Sequence, residues 1–219
     1  MLDVIILSNA KNFDLFKMTV ETVYSLLESN SDVTIFILEQ NEKSEYRFRN
    51  EKVKVFFINE KFNYNKFANI GARLGNSEYI CIANNDLLFE PNWFREILKV
   101  NYPICSPRCP IDVRQKNVLG NEIGEEVGRH LSGWCFVMKR TLWQDIDGFD
   151  EDFSFWCADN SLMEQLLAID IKPMLVRNSI VEHLGSKTLK TVDNRDELTI
   201  DQVRKFNKKY NKNLFGWGV

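Results

Sequence analysis

Carboxylates and aromatic side chains are concentrated between residues 148 and 162, directly before a predicted helix. Asp159 stands at the start of that helical pattern, and the apolar rings that precede it are Phe149, Phe153, Phe155 and Trp156. A carboxylate beside apolar walls is a candidate general base, because removal from water raises its affinity for a proton. Asp is also a preferred helix N-cap and aromatic loops often fill a core, so this segment alone leaves both roles open.

A polar triplet and a histidine follow two other predicted strands. Asn84-Asn85-Asp86 comes directly after residues 79–83, and His183 closes residues 180–182. Ligands of an open α/β sheet bind beyond the carboxyl ends of its strands, so this carboxylate and this imidazole could share a divalent cation. Mn²⁺ or Mg²⁺ at that place would suit a pyrophosphate. A turn that ends the strand and a hydrogen-bonded structural histidine are the alternative explanations.

Polar residues also follow the first two predicted strands. Ser8 and Asn9 end the first strand, and Glu39 ends the second. Neighbouring strand ends of this kind often line nucleotide pockets, where a carboxylate accepts a base N–H and small polar groups bind a ribose. The sequence has no glycine-rich phosphate loop, which argues against an NTPase or a Rossmann dehydrogenase. A bound pyrophosphate would therefore need a metal, or side chains such as Lys66 and Lys187, to neutralise its charge.

The elements that must position these residues alternate in the first half of the chain. The apolar periodicity predicts strands over residues 4–7, 33–38, 53–58 and 79–83, and helices over residues 13–28 and 66–74 with a third that opens at Pro91. Alternation of this kind is typical of a parallel sheet covered by helices. The fold class is therefore α/β, with a mixed but mostly parallel central sheet.

The pattern changes after residue 100. Short strands are predicted over residues 104–105, 133–138, 174–176 and 180–182, with a flexible polar excursion over residues 112–128 and an amphipathic helix over residues 201–212. No linker interrupts the chain, so we expect one domain over residues 1–219. Its parts are a first half (1–100), a second half (101–200) and a C-terminal helix with its tail (201–219).

Composition excludes several classes of protein. The 28 basic and 31 acidic residues give a net charge of −3, without the basic excess of a sequence-independent nucleic-acid binder. No apolar run has the length of a membrane span and the start does not read as a signal peptide, so we expect a cytoplasmic protein, in the host cytoplasm if a phage encodes it. The five cysteines suit reduced core thiols better than disulfides or structural zinc.

Taken together, these motifs resemble family 2 glycosyltransferases of the GT-A fold over nearly the whole chain. The matching residues, in order, are Val4 to Asn9, Glu39, Asn84-Asn85-Asp86 with Pro91, Gly148-Phe149-Asp150-Glu151 with Phe153, Asp159 with Leu162, and His183 with Gly185-Ser186. Phe206 and Lys209-Tyr210 also look like the family's closing helix. The chain departs from the family pattern at Asn84, Ala158, Ser161 and Gln165, where acidic residues or Arg are common.

The resemblance implies that residues 1–100 form a nucleotide-sugar-binding half and residues 101–200 an acceptor and catalytic half, and it implies a role for each matching residue. Ser8 or Asn9 and Glu39 would hold the nucleoside of a nucleoside-diphosphate sugar, with Asn84, Asn85 and Lys66 beside it. Asp86 and His183 would bind the Mn²⁺ or Mg²⁺ that bridges the diphosphate. Asp159 would take the proton of the acceptor hydroxyl in an inverting transfer. We expect the acceptor to lie in a cleft lined by Gly133, Trp134, Phe155 and Trp156.

The acceptor and the activity itself have alternatives at this stage. A saccharide in glycan assembly is the first expectation for the acceptor, and a UDP-sugar for the donor. A phage-type enzyme that glycosylates hydroxymethylated DNA bases would also fit the Lys cluster between residues 205 and 212, although the negative net charge disfavours it. The missing acidic neighbours of Asp159 would suit a degenerate module that only binds sugar nucleotides or glycans.

Overall fold

The first hundred residues form a parallel sheet whose strands alternate with helices. The computed structural model describes residues 1–29, 31–185 and 195–216. Its first four strands pair in parallel in the order β3-β2-β1-β4, where β1 is Leu2–Ser8, β2 is Val33–Glu39, β3 is Val53–Phe57 and β4 is Tyr79–Asn84. The first helices are α1 (Phe13–Glu28), α2 (Tyr64–Leu74) and α3 (Trp93–Val100). The predicted alternation of strands and helices is confirmed here.

The second half of the chain extends the same sheet with mostly antiparallel strands. The described strands are β5 (Leu87–Phe89), β6 (Ile104–Arg108), β7 (Glu122–Ile123), β8 (Cys135–Lys139) and β9 (Met174–His183). The described helices are α4 (Arg140–Asp145), α5 (Ala158–Leu167) and α6 (Arg195–Tyr210). The full order is β3-β2-β1-β4-β8-β6-β9-β5, with β7 paired to β9. Mixed α/β architecture is confirmed, and one sheet takes strands from both predicted halves. The boundaries at residues 100 and 200 stay predictions.

Four elements differ from the sequence prediction. The two short strands predicted over residues 174–176 and 180–182 are one strand, β9, whose pairing with β6 shifts register after Pro107. β5 and α4 were not predicted, because three apolar residues and six mixed residues are too short to show a period. The predicted excursion over residues 112–128 contains β7 and is internally hydrogen-bonded.

Helices cover both faces of the sheet because its strands are apolar on both sides. Along β1, Val4 and Ile6 pack in the cluster that contains α1 and α3, whereas Ile5 and Leu7 pack in the cluster that contains α2 and α5. Successive side chains of a strand point to opposite faces, so a continuous apolar run is buried twice. The polar residues at the carboxyl ends of these strands lie at the edge of the sheet.

The C-terminal helix closes one end of the molecule. Val203 and Phe206 of α6 are buried in a small cluster with Phe153. Lys209 Nζ lies 2.6 Å from Asp150 Oδ2, and the Tyr210 hydroxyl donates to the same oxygen at 2.8 Å. Asp150 of the motif at residues 148–151 therefore anchors α6. The predicted amphipathic helix is confirmed, and its described start is Arg195.

Two further predictions concern thiols and membranes. All five cysteines are buried and unpaired, as predicted for reduced thiols. Within the described ranges, no helix has the length and apolar character needed to cross a bilayer. The cytoplasmic location stays a prediction.

A buried ion pair joins the first strand to α4. Arg140 Nη2 donates to Asp3 Oδ2 at 2.6 Å, and the Ser77 amide and hydroxyl donate to the same carboxylate at 2.8 Å each. Asp3 and Arg140 side chains are 3% and 14% exposed. Removing one member of such a pair leaves a buried charge without its counter-charge.

We expect Arg140→Met to lower the free energy of unfolding by about 3 kcal/mol, because Asp3 would keep only its neutral donors. Lys17→Met is the control, since Lys17 forms an exposed pair with Glu21 and should change stability by less than about 0.5 kcal/mol. Urea denaturation measures both. Equal effects of the two substitutions would show that the buried pair does not stabilise the fold.

Candidate active site

A cleft of about 1050 Å³ opens at the edge where β4 ends and β8 begins. These neighbours are antiparallel, with Ala83 opposite Cys135, so the carboxyl end of β4 and the amino end of β8 meet there. Seven of the residues predicted for the site line this cleft: Asn84, Gly133, Trp134, Phe155, Trp156, Asp159 and His183. A cleft of this size is at the upper end of the usual range for ligand sites.

Asp86 and His183 are brought together by strand pairing. Antiparallel β5 and β9 place Leu87 opposite His183, and the Leu184 amide donates to the Asp86 carbonyl at 2.9 Å. Asp86 Oδ2 then lies 3.3 Å from His183 Nε2. Trp134 stacks on the imidazole with its ring centroid 5.4 Å away and its plane tilted by 13°. The imidazole ring is therefore fixed between a carboxylate and an indole.

This pair has the donor chemistry of a metal site. Asp86 Oδ1 and His183 Nε2 are buried and, within the described part of the chain, neither has a hydrogen-bond partner. Buried polar atoms are usually hydrogen-bonded, so two such atoms side by side point to a ligand that satisfies them. A carboxylate oxygen and an imidazole nitrogen fit Mn²⁺. The described residues contain no group of three or more metal-ligating side chains, so further ligands would come from substrate or water.

Asp159 lies in the first turn of α5, on the wall of the cleft. Its Oδ1 accepts a hydrogen bond from the Asn160 amide at 3.0 Å. Burial raises the pKa of this carboxyl above its ordinary value of 3.8, while the backbone N–H donors and the charge of Arg114 act in the opposite direction. A helix N-terminus normally stabilises an anion, so the net direction shows that burial prevails. A carboxylate whose charged form is destabilised by burial is suited to accept a proton.

Because Gly133 has no side chain, the Asp159 carboxylate can lie close to the backbone just before β8. A Cβ atom at residue 133 would stand 2.7 Å from Asp159 Oδ2. The Tyr64 hydroxyl donates to the Gly133 carbonyl at 2.5 Å, which fixes this backbone from the α2 side. Burial, and then the charge of Asp159, raise the pKa of Tyr64 well above 10. Tyr64 therefore stays a neutral donor that positions Gly133.

The loop from residue 109 to residue 133 places the positively charged side chain of Arg114 at the cleft. The fully buried Gln115 organises it: the Gln115 amide nitrogen donates to the Arg129 carbonyl at 2.9 Å and to Ser132 Oγ at 2.7 Å, and its oxygen accepts from the Cys109 amide. Arg114 lines the cleft and pairs with Asp112 at 3.3 Å. Its guanidinium lies against Gly128, where a Cβ would stand 2.0 Å from Nη1.

Tyr64 and Arg114 are the site residues that the sequence analysis missed. Tyr64 reaches Gly133 across 69 positions of sequence, a contact that no local pattern contains. Arg114 falls in the segment that was predicted to be a flexible excursion. The spacing of Asp112 and Arg114 was the one available signal, since an acidic and a basic residue two apart can pair on a turn.

Three residues predicted to hold the nucleoside have their polar groups inside the protein. Glu39 is fully buried, and its carboxylate accepts hydrogen bonds from the Ala10 amide, the Asn41 amide and the Tyr46 hydroxyl at 3.0, 2.7 and 2.8 Å. Ser8 Oγ lies 3.2 Å from both Thr19 Oγ1 and the Tyr46 hydroxyl. Asn85 Nδ2 donates to Thr19 Oγ1 at 2.9 Å. These side chains brace the strand ends from within.

The other predicted nucleotide contacts are divided. Asn84 lines the cleft. Asn9 Nδ2 donates to Gln40 Oε1 at 2.6 Å, and Lys66 pairs with Glu60, so both are engaged with neighbouring loop residues away from the cleft lining. Ser186 and Lys187 lie outside the described residues.

Comparison with known proteins identifies the architecture. No family model matches the sequence, and no curated protein matches it with significance. Two solved structures share the fold over nearly the whole chain. The crystal structure of S. aureus TarS 1-349 superposes with a TM-score of 0.64 at 11% identity, covering 100% of this chain and 75% of TarS. That of GalNAc-T7 with UDP, GalNAc and Mn²⁺ gives a TM-score of 0.68 at 13% identity over 96% of this chain.

The chain has the GT-A fold. The predicted fold class is thereby confirmed, whereas membership of family 2 stays a prediction. This GT-A chain spans half of the GalNAc-T7 chain, so that protein contains much that has no counterpart here. At such low identity the superposition establishes the arrangement of strands and helices and no particular ligand.

We expect Asp159→Asn to raise the melting temperature at pH 7. The folded-state pKa is raised, so the carboxylate costs folding energy that appears as pH rises through 3.8 toward that higher value. Asp152→Asn is the matched control with the opposite sign. Hydrogen bonds from Lys205 and Lys209 lower the pKa of Asp152 to about 2, so this carboxylate stabilises the fold above pH 3.8 and loses that effect as pH falls toward 2. A lower melting temperature for Asp159→Asn at pH 7 would contradict the proposed burial cost.

We expect Gly133→Ala to displace the Asp159 carboxylate, because its Cβ would stand 2.7 Å from Oδ2. A carboxylate NMR titration should show a changed pKa at Asp159. Gly120→Ala is the control, since a Cβ at residue 120 meets no atom within 4 Å. If both variants titrate like the wild type, the contact between Gly133 and Asp159 does not set the environment of the carboxylate.

Proposed function

We propose that this chain is an inverting, metal-dependent glycosyltransferase that moves a sugar from a nucleoside-diphosphate sugar, preferentially a UDP-sugar, to an acceptor hydroxyl. The observation that carries the proposal is that Asp159 and His183 line one cleft, with the buried Asp86 carboxylate 3.3 Å from His183. The GT-A fold supports it, and the GalNAc-T7 structure that shares this fold contains UDP, GalNAc and Mn²⁺. We place the chain among family 2-like enzymes by the order of its motifs.

The diphosphate of the donor would be held at the Asp86–His183 side of the cleft. Asp86 and His183 would ligate Mn²⁺ or Mg²⁺, which when bound would neutralise charge that develops on the departing nucleoside diphosphate. Arg114 supplies a second positive group at the cleft, already oriented by Asp112 and Gly128. Arg114 thus takes the neutralising role that the sequence analysis gave to Lys66 and Lys187. The nucleoside contacts of Ser8, Asn9, Glu39, Lys66, Asn84 and Asn85 stay predictions.

Asp159 would activate the acceptor. Its carboxylate takes the proton of the acceptor hydroxyl while that oxygen forms a bond to the anomeric carbon, and the bond from this carbon to the diphosphate oxygen breaks on the opposite side. One displacement of this kind inverts the configuration and forms no covalent bond to the protein. The raised pKa of Asp159 favours the proton transfer, and a positioned base contributes about 10²–10⁴-fold to the rate.

The acceptor would lie on the aromatic side of the cleft. Gly133, Trp134, Phe155 and Trp156 line it there together with Asp159, and a saccharide acceptor fits aromatic walls because the C–H face of a sugar ring is apolar.

The test is slow hydrolysis of a panel of UDP-sugars with Mn²⁺. We expect Asp159→Asn to lower kcat by about 10²–10⁴-fold with little change in donor KM, and Asp86→Asn to weaken binding of UDP with Mn²⁺. Asp170→Asn is the control, because Asp170 lies on the exposed turn after α5 with a φ of 58° that Asn also adopts readily. Full turnover in Asp159→Asn would refute the assigned base. Binding of sugar nucleotides by a wild type that turns over none of them would support the binding module instead.

A further inference from the structure

The segment that follows α6 is a hydrogen-bonded turn that ends at the cleft. The chain reverses direction at Asn211, whose φ is 52°. The fully buried Asn207 holds the segment that follows the reversal. Asn207 Oδ1 accepts from the Leu214 amide at 2.8 Å, and the Lys212 amide donates to the Asn207 carbonyl at 3.0 Å. Lys212 Nζ also pairs with Glu164 of α5 at 2.9 Å. These contacts fix the position of the residue that follows, Phe215.

Phe215 is held in an unusual state. Its backbone has a φ of 62° and a ψ of 14°, a left-handed conformation that bulky L-residues rarely adopt. Its side chain is 69% exposed, so burial offsets little of that backbone cost. Strained non-glycine residues occur preferentially at ligand sites. The location of Phe215 agrees with this tendency, because it lines the same cleft as Asp159.

The neighbours of Phe215 place it on the acceptor side. Leu214 and Trp156 pack in one cluster with Phe206 and Cys157, and Cys157 is two residues before Asp159. Phe155 meets Trp156 edge to face with centroids 5.4 Å apart. The Asp86–His183 pair lies elsewhere in the fold, since Asp86 directly precedes β5 and His183 ends β9. Phe215 directly follows Leu214 of this cluster and lines the same cleft as Asp159, the base that must contact the acceptor hydroxyl.

We propose that Phe215 is a specificity-determining acceptor residue, whose ring supports the apolar face of a pyranose in the acceptor saccharide. The proposal rests on the proposed function, since it takes Asp159 as the base that meets this acceptor. An aromatic ring recognises a pyranose through the C–H groups of one ring face, while the hydroxyls stay at the rim. A donor nucleobase is the competing occupant, and the test separates the two.

The test is saturation-transfer NMR with methyl pyranosides of glucose, galactose and N-acetylglucosamine, recorded with UDP and Mg²⁺ present. We expect at least one pyranoside to bind the wild type, and Phe215→Ala to weaken that binding about tenfold. Ala keeps the Cβ atom and thus the same backbone conformation. Phe215→Trp should restore binding. Phe13→Ala is the control, because Phe13 is 74% exposed in the first turn of α1, away from the cleft lining.

Calorimetric titration of UDP with Mg²⁺ is done on the same variants. We expect UDP affinity to be unchanged in Phe215→Ala, and a tenfold loss of UDP affinity there would overturn the acceptor assignment in favour of nucleobase stacking. Absence of pyranoside binding to the wild type, or equal binding by Phe215→Ala and Phe13→Ala, would also overturn it. A wild type that binds pyranosides through Phe215 but never binds UDP would refute the proposed function and leave the saccharide site standing.

Discussion

The burial of Asp86 is the constraint on which the cleft depends. A carboxylate that is 2% exposed costs much free energy unless positive or hydrogen-bonding partners surround it. The described structure offers His183, delivered by the pairing of β5 with β9, and leaves Oδ1 without a partner. The same pairing positions His183 against Trp134. The need of the buried Asp86 carboxylate for a partner is therefore linked to the arrangement of the sheet's edge and of one wall of the cleft.

At Asp159, which also lines the cleft, two opposing effects act on the carboxylate. The helix N-terminus, the Asn160 amide and Arg114 favour the charged carboxylate, whereas burial disfavours it and prevails. Gly133 makes the burial feasible because it has no Cβ to collide with Oδ2, and Tyr64 holds its carbonyl. Residues that lower stability in this way commonly serve function. The absence of acidic neighbours at Ala158 and Ser161 leaves burial as the main cause of the raised pKa.

The sequence predicted the fold well because its local signals are strong. α1 begins and ends at residues 13 and 28 as its apolar period predicts, and β1, β2 and β4 are buried on both faces. Asp86, His183 and Asp159 could be proposed from the sequence because strand ends and helix starts are visible in it, and their roles stay predictions. Glu39, Ser8 and Asn85 show the limit of this reasoning. A polar residue at a strand end can face a ligand or the protein interior. Here Thr19 engages Ser8 and Asn85 from 11 and 66 positions away, and Tyr46 engages Glu39 from 7 positions away. Tyr64, Arg114 and Phe215 required long-range contacts that only the folded chain contains.

We propose that Asp86 and His183 share a metal beside a nucleoside diphosphate, in the cleft that Asp159 and His183 line. Anomalous diffraction from crystals grown with UDP and Mn²⁺ measures this most directly. We expect one manganese peak at bonding distance from both Asp86 and His183, with the diphosphate oxygens of UDP completing its shell. UDP bound in the cleft without manganese at this pair, or manganese bound to other residues, would contradict it.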